Sequence, residues 1–207
     1  MAEAAVVFVV DDDASVRKSL SRLISEAGYT VQTFASAREF LARPPSVGPS
    51  CVVLDVRMPG LNGLDLQHTL ASAAHEIPII FITGHGDISM SVKAMKAGAV
   101  DFLTKPFAGK ELLGAIERAV AKDTRDIRAE ARTDEIRERV KLLTPRESQV
   151  FALVVTGMLN KQIAAELGVG EKTIKVHRAR VMDKMRAGSL AELVRLADAV
   201  GIVVTHV

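Results

Sequence analysis

One cysteine, Cys51, occurs in the 207 residues, so the chain closes no disulfide on itself and offers no set of thiolates for zinc. No apolar stretch approaches the roughly 18–20 residues of a membrane-spanning helix. The N-terminus, MAEAAVVFVVDDD, lacks a basic segment ahead of its short apolar run and reads as a first strand rather than a signal. Internal repeats and low-complexity segments are also missing. The expectation is a globular, cytoplasmic chain of bacterial type with no membrane partner, long enough for one large domain or two small ones.

Charge is uneven along the chain. Lys and Arg stand against Asp and Glu as 11 to 13 in residues 1–121, 7 to 6 in 122–141 and 9 to 6 in 142–207. A slightly acidic first part and a basic last part suggest two domains with different partners.

In residues 1–121, AVVFVV (5–10), YTVQTF (29–34), CVVLD (51–55), IPIIFIT (77–83) and AVDFLT (99–104) have the composition of strands. Amphipathic helical patterns lie between and after them, at 15–27, 35–42, 63–73, 87–97 and 110–120. Alternation of this kind implies an α/β domain with a five-stranded parallel sheet covered on both faces. Residues 122–141 contain neither proline nor glycine and are mostly charged; acid–base pairs at helical spacing read as a solvated helical linker. From Leu142 onward the pattern is all helical. Thr144-Pro145-Arg146-Glu147 is a capping box with proline at the first helical position, Gly157 ends that helix, and Asn160 is the expected cap of the next.

Ligands of parallel sheets bind at the carboxyl ends of the strands, which directs attention to Asp11, Asp12, Asp55, Thr83 and Lys105. Carboxylates after strands one and three crowd together, and each ionised pair 5 Å apart repels by roughly 3 kcal/mol at an effective dielectric near 20. A hard divalent cation such as Mg²⁺ relieves that repulsion. With Lys105 and the Thr83 hydroxyl nearby, the set suits an incoming phosphoryl group, and Asp55 can serve as its nucleophile. Asp13 reads more plainly as a helix cap.

VVDDD, LDVRMPGLNGL, ITGHGD and DFLTKPF resemble the receiver domain of two-component response regulators, which has a doubly wound, flavodoxin-like sheet. The resemblance implies Asp55 as phosphoacceptor, Asp11 and Asp12 as the acidic pair with Asp12 the more direct Mg²⁺ partner, and the backbone carbonyl of Arg57 as a further metal ligand. It also implies that Lys105 pairs with the phosphoryl group, that Lys105-Pro106 is cis, and that Thr83 and Phe102 are the switch pair. Gly84 stands where many receivers have alanine and should leave phosphate access open.

In the last part, NKQIAAELGVGEKTIKVHRARVMDKM (160–185) is helix, glycine turn, helix. Ile174, His177 and Val181 form one stripe of the second helix, while Lys172, Lys175, Arg178 and Arg180 are polar positions, as a helix in the DNA major groove requires. LTPRE, G-x-x-NK-x-IA and TIKVH resemble the helix-turn-helix output domain of NarL/FixJ (LuxR-type) regulators. By that resemblance Lys175 and Val176 face base edges, and Lys161, Lys172, Thr173 and Arg180 touch phosphates. His177 is packing with a phosphate contact, and the remaining histidines lack metal-ligand spacing.

The expectation is a receiver (1–121), a helical linker (122–141) and a helix-turn-helix domain (142–207), closest to the FixJ branch through ITGHGD and AMKAGAVDF. A sensor histidine kinase would phosphorylate Asp55. The protein would dimerise through a face containing Val92 and Lys96, bind promoter DNA and engage RNA polymerase. It would be regulatory, with no enzymatic role beyond its own phosphoryl transfer and dephosphorylation. The rival reading is a haloacid-dehalogenase-like phosphatase with Asp11 as nucleophile, since Asp11-Asp12-Asp13 satisfies D-x-D. Only Pro106-Phe107-Ala108-Gly109 follows Lys105, however, where that class needs an acidic metal motif, and the basic half is left without a role.

Overall fold

The computed structural model describes residues 5–46, 48–70, 76–84 and 88–202. The chain divides into two compact units, Met1–Ile127 and Arg128–Val207. The first unit alternates strand and helix in the order β1 (Val6–Val10), α1 (Ala14–Glu26), β2 (Thr30–Phe34), α2 (Ala37–Leu41), β3 (Ser50–Asp55), α3 (Gly63–Leu70), β4 (Ile79–Thr83), α4 (Ile88–Lys96), β5 (Asp101–Thr104). A helix of 33 residues follows, α5 (Gly109–Lys141). It runs unbroken through the expected linker because nothing from Lys110 to Lys141 interrupts it: Gly114 is the one glycine in that stretch, and proline is absent.

All neighbouring strands are parallel, in the order β2-β1-β3-β4-β5. The central strands read as continuous apolar runs because both faces are covered. Phe8, Val10, Val52, Leu54, Ile79 and Phe81 pack on one face with Phe40, Leu66 and Ala94. Val7, Val9, Cys51, Val53, Ile80 and Ile82 pack on the other with Leu20, Ile24, Leu112 and Ile116. Each such side chain contributes about 1.5–3 kcal/mol on full burial. β2, at the edge, has no fully buried residue. The chain reverses direction across the sheet at β1, which pairs with both β2 and β3, so the ends of β1 and β3 flank the switch point.

Two buried polar side chains fix helices that the apolar pattern leaves unspecified. The Gln67 amide on α3 donates to the carbonyls of Ala94 (3.2 Å) and Ala97 (3.0 Å), closing the carboxyl end of α4. Asp123 on α5 accepts from the backbone N–H of Ser50 at 2.7 Å, at the start of β3.

In the second unit α6 (Pro145–Val155), α7 (Asn160–Glu166), α8 (Glu171–Lys184) and α9 (Leu190–Ala199) enclose Val150, Phe151, Val154, Ile163, Ile174, Val181, Leu193 and Leu196. The Thr144–Glu147 capping box forms in both directions. Asn160 does not cap α7. That helix already includes it, and the Gln162 side chain accepts from the Leu159 N–H at 2.7 Å instead.

Glu147 is buried and also accepts from Lys184 Nζ at 2.6 Å. The Lys184 ammonium, then the Thr144 N–H, hold its carboxyl down to about 2 from an ordinary 4.5. Because the folded pKa lies below the unfolded one, this stabilisation is complete above about 4.5 and disappears as the pH falls toward 2. Glu147→Gln is therefore expected to flatten the acid limb of the unit's stability. Thermal melts by circular dichroism across that range check this; parallel acid limbs for variant and parent would remove Glu147 as the cause.

Candidate functional site

Four strand ends converge in the first unit. Asp11 follows β1, Asp55 ends β3, Thr83 ends β4, and Lys105 follows β5. Register explains the convergence: Val10 pairs with Leu54, Asp55 with Ile82 and Thr83 with Thr104. Lys105 Nζ lies 2.7 Å from Asp11 Oδ2 and 2.9 Å from Asp55 Oδ1. The unusual Asp55 at the end of an apolar strand is thus buried but paired, and its second oxygen accepts from the Arg57 N–H at 2.8 Å. Gly63 lets α3 begin against the backbone at the end of β3, since a Cβ there would lie 2.6 Å from the Asp55 carbonyl oxygen.

Burial raises the Asp55 carboxyl above the usual carboxylate range, against the pull of the Lys105 ammonium, and the neighbouring charge of Asp11 adds to the rise. For Lys105, burial acts downward, but its hydrogen bonds to Asp11 and Asp55 outweigh it and hold the ammonium above its ordinary value. Asp13 is the N-cap of α1, accepting from the Ser15 N–H and hydroxyl, and that hydroxyl is the main reason its carboxyl is lowered. Asp12 is exposed and shares with Arg57, Met58, Asn62 and Met90 the wall of a cavity of about 510 Å³. No group of three or more His, Cys, Asp or Glu side chains among the described residues is already arranged to hold a metal. Lys105 Nζ bridges two of the carboxylates instead.

Thr83 is buried and Phe102 half-buried. The Phe102 ring lies 6.2 Å from that of Phe81, tilted by 43°. The Lys105–Pro106 peptide is cis. A Cβ at Gly84 would meet nothing within 4 Å. His85, Gly86 and Asp87 of the ITGHGD segment lie outside the described residues, as does the expected last turn of the 63–73 helix. On α4, Val92 and Lys96 are both exposed, and Ile88 and Met95 join Val92 as exposed apolar residues. The sequence reading missed Ile88 and Met95, although they lie four residues before and three after Val92.

In the second unit Lys161, Lys172, Thr173, Lys175, Val176 and Arg180 are all exposed on α7 and α8. Ile174 and Val181 are buried and His177 half-buried, as the stripe requires. Lys175 rests 3.4 Å from Glu171 one turn earlier. Arg178 departs from the expected basic face: it is half-buried and donates to Asn160 Oδ1 at 3.2 Å, tying α8 to the start of α7.

Comparison with known proteins agrees with both units. The family model for the response regulator receiver domain matches residues 7–117, and that for bacterial regulatory proteins of the luxR family matches 141–197. Nodulation protein W of Bradyrhizobium diazoefficiens is 52% identical over 202 residues, covering 98% of this chain and 89% of that protein. Transcriptional regulatory protein FixJ of the same species is 45% identical over 196 residues, covering 95% and 96%. The solved structure of response regulator StyR superimposes with a TM-score of 0.82 at 48% identity, over 94% of this chain and 98% of that one. The phosphatase reading finds no support, because the family model that contains Asp11 is that of the receiver domain and the basic half matches a DNA-binding family. The strand-end pocket, the helix-turn-helix and these relatives make the chain a member of the response regulators that join a receiver to a LuxR-type DNA-binding domain.

Proposed function

We propose that Asp55 accepts a phosphoryl group from a phosphohistidine of a sensor kinase and that this controls binding of the second unit to promoter DNA. The observation that carries the reading is the single ammonium of Lys105 spanning Asp11 and Asp55 at the sheet's switch point. In the transfer, an Asp55 carboxylate oxygen forms the new P–O bond, the P–N bond breaks, and the imidazole leaves with the electron pair. Lys105 pairs with the phosphoryl oxygens, and the Thr83 hydroxyl donates to them. Hard oxygen donors from Asp11, Asp12, Asp55 and the Arg57 carbonyl suit Mg²⁺, which when bound neutralises phosphoryl charge. Uptake of phosphate from a small phosphodonor in Mg²⁺, followed by intact mass, tests the reading.

The division is a receiver over 1–121, a linker over 122–141 and an output domain over 142–207. No described helix is long and apolar enough to cross a membrane, and a DNA-binding regulator fits the cytoplasm. Phosphorylation brings two receivers together through α4 and β5, and the DNA-bound dimer engages RNA polymerase.

On DNA, Lys175 and Val176 read base edges, while Lys161, Lys172, Thr173 and Arg180 hold the phosphates. Affinity of the protein for its site should fall with salt, with a log–log slope of about 0.9 per phosphate contact. Lys175→Ala is expected to relax sequence preference by about 1–3 kcal/mol, after release of Lys175 from Glu171. Lys161→Ala should weaken specific and random DNA alike. Competition binding measures both, and equal effects of the two substitutions on specific and random DNA would refute the division of roles.

A further inference from the structure

Arg17, in the first turn of α1, directs its side chain not to solvent or to a carboxylate but to the backbone of the acidic loop. Its Nη1 donates to the carbonyl of Asp11 at 2.7 Å and to that of Asp12 at 3.0 Å. Successive carbonyls of an extended chain point to opposite sides. Two of them can share one nitrogen only if the chain turns at Asp12.

The rest of the loop is bonded to match. The Asp13 N–H donates to Asp11 Oδ1 at 2.9 Å, and the Asp13 carboxylate caps α1 through Ser15 and Val16. Both peptide planes that flank Asp12 are therefore fixed: the first by the Asp11 carbonyl on Arg17, the second by the Asp12 carbonyl on Arg17 and the Asp13 N–H on Asp11. The Asp12 side chain is exposed, and no donor among the described residues orients it. Its direction comes from the backbone, and the backbone from Arg17.

We infer that Arg17 is a positioning residue for the divalent cation: it sets the turn that presents the Asp12 carboxylate to Mg²⁺. The inference rests on the proposed metal role of Asp11 and Asp12. Its sign is distinctive. A guanidinium beside three aspartates opposes cation binding by its charge, so losing it as a mere charge would tighten Mg²⁺, whereas losing the turn weakens it. Lysine keeps the charge, but its ammonium ends one bond short of the place Nη1 occupies and cannot reach both carbonyls from the same backbone, which separates the two effects.

The test is calorimetric titration of the full chain with MgCl₂ at fixed ionic strength, for the parent, Arg17→Met, Arg17→Lys and Asp12→Asn. Arg17→Met is expected to weaken Mg²⁺ binding about tenfold, as loss of an outer-shell partner does, with Arg17→Lys between it and the parent. Melting without metal identifies the folded variants, so a purely structural role would move the melting temperature and leave the dissociation constant alone. Should Arg17→Met fail to fold, the lysine variant decides: weaker binding at unchanged charge supports the inference. Parent-like binding by Arg17→Lys, or parent-like or tighter binding by folded Arg17→Met, overturns it. Parent-like binding by Asp12→Asn would overturn the metal assignment itself; weak binding there beside parent-like Arg17 variants would overturn only the role of Arg17.

Discussion

Asp55→Asn is expected to eliminate the acid-stable, hydroxylamine-labile phosphoryl group that the parent takes up from a small phosphodonor in Mg²⁺. An amide is almost the same size as a carboxylate, so the buried strand end and the Gly63 contact survive. What disappears is the nucleophilic oxygen, since the amide nitrogen has its lone pair delocalised. The fold should tolerate the change because two opposing effects accompany it. Asparagine keeps one acceptor oxygen, so one of the bonds from Lys105 Nζ (2.9 Å) and the Arg57 N–H (2.8 Å) is lost, a cost of about 1.5–3 kcal/mol, but the repulsion between Asp55 and Asp11, which helps to raise the Asp55 carboxyl, is relieved. Lys105 keeps Asp11 as partner. Intact mass after phosphodonor treatment reads the result directly. Label that persists in Asp55→Asn and vanishes in Asp11→Asn would move the nucleophile to Asp11.

The legible parts of this chain are those in which one local pattern determines one outcome. Strands buried on both faces announce themselves as apolar runs, and a carboxylate that ends such a run needs partners. Asp11 and Lys105, each just after a strand of its own, are the partners the sequence offers. The Thr144–Glu147 box was legible for the same reason, its spacing being local. Contacts between residues distant in sequence left no such mark. Gln67 closing α4, Asp123 reaching Ser50 and Arg178 turning to Asn160 each depend on which helix lies beside which. Asn160 misled because an asparagine ahead of a helical pattern is a good cap, whereas Leu159 takes the N-cap position and Asn160 Oδ1 accepts from Arg178. The continuity of α5 is the converse: its lack of breakers was plain, but the fold alone determines which of its turns are buried.

Val92→Asp and Lys96→Glu are expected to leave phosphorylation of Asp55 intact while abolishing dimerisation at working concentrations. α4 carries Ile88 at 84% exposure, Val92 at 44% and Met95 at 45%. Spaced by four and three, they form one stripe on the helix, beside Lys96. An exposed apolar stripe rimmed by charge suits a partner surface, and its neighbour across the sheet edge is β5, which holds Phe102. On the proposed function, a Thr83 hydroxyl turned to the phosphoryl group would leave space toward which Phe102 could rotate. The surface between α4 and β5 then changes with the state of the pocket, which meets β5 where Thr83 pairs with Thr104. In a two-fold dimer each receiver offers the same patch, so one substitution acts twice. At about 1.5 kcal/mol per copy, the dimer dissociation constant rises about 100-fold. Cooperative binding to paired DNA sites should weaken in step. Sedimentation of the phosphorylated variants is the measurement: if both associate like the parent, the receivers meet through another face, and the stripe on α4 has a different partner.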